Sequence, residues 1–428
     1  MKILQFIREG ESVKIALFLF IFTVLVNLFL AIPIIHWTQD PTSGKEYRQI
    51  AQNIVLGHGY VVKEGQEPVL WRPPLYIYIL AFFYSLFKDP YIPIVIFQII
   101  LNGITGVLLF FIGKKIFSQS VAFFAALLFP IYPLSIYCCT RTSTETLFTF
   151  LVSITVLLTV DLFRGTSWRR SLILGLFLGL AALTRVTIQF FPIFLILATM
   201  LWVKERGKRY GILKELGIVI PMMILTVFPW TLRNYSVSKE WIFIDTSGGY
   251  TFWVGNRIAS DGVEDFLNDE KFAVIRKEVA KILDIPYTEP FHLEETAWGN
   301  KTNGKKLYWE AIKCMIESPF QTFILWMKKL CRFWFYYDGV HSYLLPFIIL
   351  LQLFLMIPAG FGIYFALKEK KPILVLLLII SFFWLVHSAS LVRARYSIPI
   401  FPYITLFAVN GIRGWIRKKQ GRAVPHPL

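Results

Sequence analysis

Long uninterrupted apolar runs, separated by short polar stretches, dominate the pattern of hydrophobic and polar positions along this chain. A helix needs about 20 mostly apolar residues to cross a bilayer, and runs of that kind recur through most of the sequence. The segment 75–87 is too short for a full span and predicts an interfacial or re-entrant helix. The pattern predicts ten spans, which cover residues 14–35, 91–113, 119–138, 144–163, 171–185, 188–203, 212–230, 343–367, 373–389 and 396–412.

Clusters of lysine and arginine indicate how these spans are oriented. They follow the even-numbered predicted spans, at residues 114–115, 164–170, 204–209, 368–371 and 413–419. Cytoplasmic loops of helical membrane proteins collect Lys and Arg. Ten spans with both chain ends in the cytoplasm place all of these clusters on that side. The pattern therefore predicts an all-α polytopic membrane protein whose large polar regions face outward.

Two outward regions divide the chain into three parts. A long first outer loop, residues 36–90, lies within an N-terminal transmembrane core, residues 1–230. A small extracytoplasmic segment follows at residues 231–342. The C-terminal transmembrane helices and a basic cytoplasmic tail occupy residues 343–428. The sequence thus predicts a helical bundle that carries a loop and a small segment on its outer face.

Both outward regions have helical patterning of their own. Apolar positions from Lys45 to Leu56 predict a short amphipathic helix, which Gly57 and Gly59 would end. Helical periodicity also occurs in residues 268–284 and 305–335. In the second of these stretches cations alternate with aromatic residues, which is typical of a helix lying at the headgroup level. The residues concerned are Trp326, Lys328, Lys329, Arg332, Phe333, Trp334 and Phe335.

Composition narrows the class of protein further. Of the 428 residues, 56% are hydrophobic and 17% are charged, which excludes an ordinary cytosolic enzyme and a disordered chain. The apolar runs are continuous, unlike the short alternating strands of an outer-membrane barrel. The net charge of +17 is explained by the cytoplasmic loops, so we expect no nucleic-acid partner. The four cysteines form neither a disulfide framework nor a CxxC metal site.

Candidate chemistry lies at the outward ends of the spans, where polar groups can line a cavity at the interface. Arg72 precedes two prolines, and Arg185, Arg233 and Arg395 each stand at an outward end of a span. A single arginine in such a place is most often a snorkelling anchor. Four of them on the side where cations are sparse indicate an anionic ligand, and the planar guanidinium suits phosphate.

Other polar residues accompany these arginines. Arg141 and Glu145 are four residues apart, and we expect them on one helix face. Asn256 ends the turn Val-Gly-Asn, where it either binds sugar hydroxyls or merely shapes the turn. The carboxylates of the first outer loop are Asp40, Glu46, Glu64 and Glu67.

A series of short motifs connects these candidates. In chain order they are Gly-His-Gly-Tyr at 57–60, Trp-Arg-Pro-Pro-Leu-Tyr at 71–76, Arg-x-x-x-Glu at 141–145, Leu-Ala-Ala-Leu-Thr-Arg at 180–185, Pro-Trp-x-x-Arg-Asn-Tyr at 229–235, a Gly-Gly and Gly-Asn pair at 248–256 and Arg-Tyr-x-x-Pro at 395–399. Their order and their placement relative to the spans resemble the GT-C glycosyltransferases that use polyprenyl-phosphate sugars. The nearest branch is the bacterial relatives of protein O-mannosyltransferases and of the lipid A aminoarabinose transferase.

This resemblance implies a GT-C-like helix bundle that transfers a sugar from a polyprenyl phosphate to an acceptor hydroxyl on a lipid, glycan or protein. It implies a site facing outward, here from a bacterial inner membrane. The basic residue before Pro-Pro would contact the donor phosphate, which makes Arg72 the leading candidate. By the same match Arg233 and Arg395 are phosphate candidates, and Arg185 is a weaker one. Some relatives use a divalent cation, although no metal-ligand spacing occurs here. The remaining binding candidates are Tyr47, Arg141, Glu145, Asn256 and Tyr396.

The acid of the first outer loop departs from the family pattern. An Asp usually lies four residues before the loop tyrosine, but the position four before Tyr47 holds Ser43. If the general base is retained, we favour Asp40 in a shifted loop, and the alternatives are Glu46 and Glu67. The remaining alternative is that the chain has lost the base. Three interpretations stay open: an active glycosyltransferase, a catalytically degenerate relative that binds lipid-linked sugar, and a lipid or sugar transporter or polymerase.

Overall fold

The structure, a computed structural model, describes residues 11–38, 44–258, 269–285, 301–336 and 345–420. Within these ranges every regular element is a helix, as the apolar periodicity predicts. The first seven helices are α1 Ser12–Thr38, α2 Lys45–Val55, α3 Leu75–Leu86, α4 Tyr91–Ile116, α5 Gln119–Leu128, α6 Pro133–Cys139 and α7 Glu145–Leu162. The next three are α8 Trp168–Ala182, α9 Phe191–Trp202 and α10 Arg206–Ser238.

The remaining helices form the outer segment and the C-terminal part of the chain. The outer segment contains α11 Gly248–Asn256, α12 Asp269–Leu283, α13 Lys301–Glu317 and α14 Pro319–Phe335. The C-terminal part contains α15 Leu345–Lys368, α16 Leu374–Ala389 and α17 Phe401–Lys419. Short 3-10 turns at Phe129–Ile131, Val186–Phe190 and Ala394–Ile400 precede α6, α9 and α17.

The chain is an integral membrane protein with several apolar helices, but the count of ten spans is not confirmed. In the described residues, five helices are long and apolar enough to cross a membrane: Ser12–Ile35, Tyr91–Ile116, Glu145–Leu162, Arg206–Ser238 and Pro346–Lys368. The predicted spans at 171–185, 188–203 and 373–389 correspond to helices shorter than 18 residues. They are short because polar turns or 3-10 turns interrupt the apolar runs.

The predicted span at 119–138 is a bent pair of helices. Gln119–Ile131 and Pro133–Cys139 meet at an angle of 59°, so together they form either a sixth, broken span or a re-entrant loop. Pro130 and Pro133 explain the break, because a proline lacks the backbone N–H that a continuous helix requires.

Glycines let several of these helices approach closely. Gly175 of α8 faces α10, where an added methyl group would lie 2.5 Å from the carbonyl oxygen of Val219. Gly362 of α15 and Gly411 of α17 form a second close contact, and a methyl group on Gly362 would lie 1.8 Å from the carbonyl oxygen of Phe407. Backbone approach at small residues is a common way of packing helices within membranes.

We expect Gly362→Ala to destabilise the protein, because its methyl group would overlap the backbone of α17 and force the two helices apart. Overpacking of this kind costs about 1–3 kcal/mol. Gly360→Ala is a matched control on the same helix, since a methyl group there meets no atom within 4 Å. Thermal unfolding in detergent measures the difference, and equal melting temperatures for the two variants would contradict the contact.

The outer regions fold into helices close to the predicted positions. Helix α2 confirms the helix predicted in the first outer loop, and Gly57 and Gly59 follow it with φ values of 84° and 87°, a conformation that favours glycine. Helix α3 confirms a short helix at 75–87 and buries one face against the bundle. The predicted helical stretch 305–335 is divided into α13 and α14, because Pro319 cannot continue the preceding helix.

Helix α14 is oriented differently from what its cations suggest. Lys329 is fully buried and donates hydrogen bonds to the carbonyl oxygen of Gly255 at 2.8 Å and to Asn256 Oδ1 at 3.2 Å. Phe333 and Trp334 are buried on the same side. Lys329 therefore fixes α14 to α11 instead of reaching toward lipid headgroups. The exposed side carries the apolar Phe320, Phe323, Ile324 and Met327 together with Lys328.

Burial of the Lys329 ammonium predicts a pH dependence of stability. Desolvation lowers the pKa of Lys329 to about 7, whereas a lysine in an unfolded peptide has a pKa of about 10.4. Between these values the unfolded chain binds more protons than the folded chain, so we expect the free energy of unfolding to rise with pH in that window. Lys329→Met should flatten this rise, and the exposed Lys328→Met should not. Unfolding measured across that pH range tests this, and an unchanged slope in Lys329→Met would contradict it.

Candidate functional site

The first outer loop brings an acid and an arginine into direct contact. Helix α2 presents Glu46 from its first turn, and the chain after the loop presents Trp71 and Arg72. Trp71 Nε1 donates to Glu46 Oε1 at 2.5 Å, while Arg72 Nε and Nη2 donate to Glu46 Oε2 at 2.8 and 2.5 Å. The Arg72 guanidinium also lies 5.3 Å from the ring centre of Tyr47. We call these four residues the loop cluster.

A second group forms around Glu145, the first residue of α7. Its carboxylate is buried, and its Oε1 lies 3.2 Å from Arg185 Nη1 and 3.7 Å from Arg395 Nε. The Arg185 guanidinium lies 4.8 Å from the ring centre of Tyr396, which stacks on His387 at 4.4 Å. Two guanidinium groups share one carboxylate here, so the group carries a net positive charge. We call these five residues the Glu145 cluster.

Tyr47 connects the two clusters. Its ring packs edge-on against Tyr76 at 5.9 Å. Burial raises the pKa of the Tyr47 phenol, and Arg72, Glu46, Arg185 and Glu145 all act on it electrostatically. All four charges therefore act on the phenol of one half-buried side chain. Arg72 and Arg185 thus both act on Tyr47, and Arg395 joins them through the carboxylate of Glu145.

Arg233 lies beside this site but makes different contacts. Its Nη1 donates to the carbonyl oxygen of Val69 at 2.8 Å, and its guanidinium lies 5.0 Å from the ring centre of Tyr60 and 4.6 Å from that of Trp230. These contacts hold the chain that leads to Arg72. Arg233 is therefore placed to support the first outer loop, whereas the sequence places it among the phosphate ligands.

Backbone hydrogen bonds fix the base of the first outer loop. Val69 N donates to the carbonyl oxygen of Tyr60 at 2.9 Å, which closes the excursion 61–68. Thr246 N donates to the carbonyl oxygen of Leu70 at 3.0 Å, which joins the loop to the chain after α10. The backbone immediately before Arg72 is thus held from two sides.

Another predicted binding residue, Asn256, makes its hydrogen bonds to groups of the protein itself. Asn256 is fully buried, and its amide donates to the carbonyl oxygens of Phe252 and Ala389, while its Oδ1 accepts from Trp326 and Lys329. Its side-chain donors and acceptors are all used within the protein, which indicates a structural role.

Arg141 lies outside the helix on which it was expected. It precedes α7, in the bend between α6 and α7, so the expected pairing with Glu145 on one helix face is wrong. Its guanidinium lies 4.3 Å from the ring centre of Tyr137, and its carbonyl oxygen accepts a hydrogen bond from Gln98 Nε2. The physical reason is that helix α6 ends at Cys139 and the chain turns before α7 begins.

Of the three candidate bases in the first outer loop, two, Glu46 and Glu67, lie in the described residues. Asp40 and Ser43 lie outside the described residues, and Glu67 is exposed in the excursion 61–68. Glu46 uses both carboxylate oxygens on Trp71 and Arg72. In the described ranges no group of three His, Cys, Asp or Glu side chains is arranged to hold a metal ion.

Asp245 is an acid that the sequence analysis did not single out. It lies between α10 and α11, half-buried, and its Oδ1 accepts hydrogen bonds from Ser247 N at 3.2 Å and Ser247 Oγ at 3.1 Å. Burial raises the pKa of Asp245 to about 6, against the opposing influence of these bonds and of Arg72. The only signal in the sequence is its position just before the Ser-Gly-Gly turn.

Solved structures resemble this chain over nearly its whole length. The oligosaccharyltransferase AglB from Archaeoglobus fulgidus, in complex with an inhibitory peptide and a dolichol-phosphate, is 13% identical with a TM-score of 0.58. An apo form of the Archaeoglobus fulgidus oligosaccharyltransferase is also 13% identical, with a TM-score of 0.56. Both matches cover 96% of this chain but 52% of the other, so this chain spans about half the length of these relatives. At this identity the likeness shows a shared fold.

A further solved structure matches at a lower score. ArnT from Cupriavidus metallidurans, bound to undecaprenyl phosphate, is 13% identical over 93% of this chain and 78% of ArnT. Its TM-score of 0.40 is too low to support a shared fold by itself. A search of curated proteins finds no significant match.

A family comparison covers the central part of the site. Residues 71–230 match the family described as dolichyl-phosphate-mannose-protein mannosyltransferase. This stretch includes Arg72, Glu145 and Arg185, whereas Arg395 lies beyond it. The resemblance that the motifs predict is thereby confirmed: in residues 71–230 this integral membrane chain matches the protein mannosyltransferase family.

Proposed function

We propose that this chain is a membrane glycosyltransferase that moves a sugar from a polyprenyl-phosphate donor to an acceptor hydroxyl. The reaction takes place at the outer face of a bacterial inner membrane, and the chain crosses that membrane ten times with both ends in the cytoplasm. The acceptor is a lipid, glycan or protein. The observation that carries the proposal is that Arg72 and Arg185 both act on Tyr47, and that Arg395 shares the acid Glu145 with Arg185. The second acid, Glu46, pairs with Arg72.

The charges of the site suit a phosphate that becomes more negative during the reaction. Arg72 and Arg395 expose 35% and 43% of their side chains, so a ligand can reach both. Each charge-assisted hydrogen bond to a phosphate oxygen contributes about 1.5–3 kcal/mol. As the bond from the sugar to the phosphate breaks, the departing oxygen gains charge, and arginines fixed in advance stabilise it.

The comparisons support the same class of donor. The matching family is described as using dolichyl-phosphate-mannose, and the AglB structure contains a dolichol-phosphate. A dolichol phosphate and a bacterial polyprenyl phosphate present the same phosphate group at the end of an isoprenoid chain. The arginines of the two clusters would bind that shared group, while the lipid tail would lie between the apolar helices.

The proposal is tested by incubating the purified protein with labelled polyprenyl-phosphate sugars and a total membrane extract. We expect label to appear in a new covalent product, whose identity defines the acceptor. Donor binding without any product would instead identify a catalytically degenerate relative. Movement of the labelled lipid across proteoliposomes without a covalent product would identify a transporter. Either of these two results would contradict the proposal.

A further inference from the structure

Asp245 belongs to the stretch after α10 that is joined to the first outer loop just before Arg72. The hydrogen bond from Thr246 N to the carbonyl oxygen of Leu70 runs beside it and joins the two backbones at 3.0 Å. Asp245 is thus one residue from this link and Arg72 is two residues from it. Arg72 acts electrostatically on the Asp245 carboxylate. The backbone pairing therefore places a second acid next to the arginine proposed to hold the donor phosphate.

Of the acids around Arg72, Asp245 has the carboxylate least used by the protein. Glu46 is held by three hydrogen bonds from Trp71 and Arg72, and Glu145 is shared between two arginines. Asp245 Oδ1 accepts from Ser247, whereas in the described part of the chain its Oδ2 accepts no hydrogen bond. One oxygen of Asp245 is thus in a position to accept a proton from a substrate.

Within the described residues, a second titratable group near Asp245 comes from the outer segment. Tyr308 of α13 is influenced electrostatically by Asp245, and its hydroxyl lies so close to Gly248 that an added methyl group there would be 2.5 Å from it. Arg72 faces Asp245 from the first outer loop and Tyr308 faces it from α13. Asp245 therefore lies at the boundary between the donor arginines and the outer segment, which is where an acceptor would enter.

We propose that Asp245 is the catalytic residue that takes the proton from the acceptor hydroxyl, an inference that rests on the proposed glycosyltransferase function. The acceptor oxygen forms a bond to the anomeric carbon as its proton passes to Asp245 Oδ2. The bond from that carbon to the phosphate oxygen breaks, and its electron pair stays on the phosphate. The phosphate gains one negative charge beside Arg72 while Asp245 loses one, so charge and atoms balance. Asp245 then releases the proton to water.

The half-buried position of Asp245 suits this role. A general base works best when its pKa lies close to the pH at which the enzyme works. Burial raises the pKa of Asp245 to about 6, so the carboxylate is ionised at neutral pH and is still a stronger base than an exposed aspartate.

The experiment compares the wild type, Asp245→Asn and the control Glu240→Gln with labelled undecaprenyl-phosphate sugar and membrane extract. Asp245→Asn should lower transfer at least about 100-fold, which is the lower end for loss of a general base. Binding of undecaprenyl phosphate and the melting temperature should stay unchanged. In the wild type, kcat/KM should rise with pH through about 6, and Asp245→Asn should lose that rise. Glu240→Gln should behave as the wild type.

The outcomes separate this inference from the proposed function. Wild-type protein that transfers no sugar would overturn both. Transfer by Asp245→Asn at the wild-type rate with the same pH profile would overturn the role of Asp245 alone. Loss of undecaprenyl phosphate binding in Asp245→Asn would overturn it as well, because the residue would then serve the donor site. A pH profile that is lost in Asp40→Asn and kept in Asp245→Asn would assign the proton to Asp40.

Discussion

Arg72→Ala is expected to lower sugar transfer at least about 100-fold, the effect of removing one preorganised donor that stabilises developing charge. Arg72 is the arginine that contacts both the acid of α2 and the ring of Tyr47, and its side chain is reached by solvent. Removing it leaves the leaving phosphate with fewer fixed positive charges. The measurement is the initial rate of transfer from labelled polyprenyl-phosphate sugar by protein of equal purity and equal melting temperature.

Two further variants make this result specific. Arg72→Lys keeps the charge but loses the planar fork, so we expect it to restore only part of the activity. Lys63→Ala removes an exposed cation from the same outer loop and should leave transfer unchanged. If Arg72→Ala and Lys63→Ala had the same rate as the wild type, Arg72 would have no part in binding the donor phosphate.

Glu145→Gln should cause the largest loss of stability among single changes at the site. Its buried carboxylate is shared by Arg185 and Arg395, and neutralising it leaves two guanidinium groups close together without their common partner. Breaking a buried ion pair by removing one partner costs about 3–5 kcal/mol. Unfolding by heat or denaturant in the same detergent measures this loss.

The other end of the same helix offers a matched control. Asp161 of α7 pairs with Lys115 at 2.6 Å, but both side chains are partly exposed. Neutralising it with Asp161→Asn should therefore cost no more than about 1 kcal/mol. In a double-mutant cycle, Arg185→Gln should recover part of the stability that Glu145→Gln loses. A cost for Glu145→Gln no larger than that for Asp161→Asn would show that the Glu145 cluster is well hydrated.

The positions of helices and arginines could be predicted from the sequence because they depend on local patterns. The helix at Lys45–Val55 follows from its apolar periodicity and the glycines after it. Arg72, Arg185 and Arg395 could be expected near one another because the predicted spans place all three on the side where cations are sparse. Only the predicted order of the spans and the distribution of charge are needed for this expectation.

The pairing of side chains could not be predicted, because it depends on contacts between distant segments. Arg233 carries the same charge as Arg395, yet the carbonyl oxygen of Val69 and two aromatic rings hold it in a supporting role. Lys329 belongs to a basic aromatic stretch that suggests a membrane surface, but it is buried against Gly255. Asp245 becomes a candidate only when the backbone of Leu70 is found beside it.

The closed base of the first outer loop also offers a site for a reporter. Residues 61–68 form a small loop, and a backbone hydrogen bond between Val69 and Tyr60 closes its two ends. The Asn53 amide donates to the carbonyl oxygens of the first two residues of this loop. The tip around Gly65 is exposed, and exposed loop tips tolerate inserted sequence well. An epitope placed there would leave the loop cluster intact. Antibody access to it in intact cells would then reveal directly on which side of the membrane this loop lies.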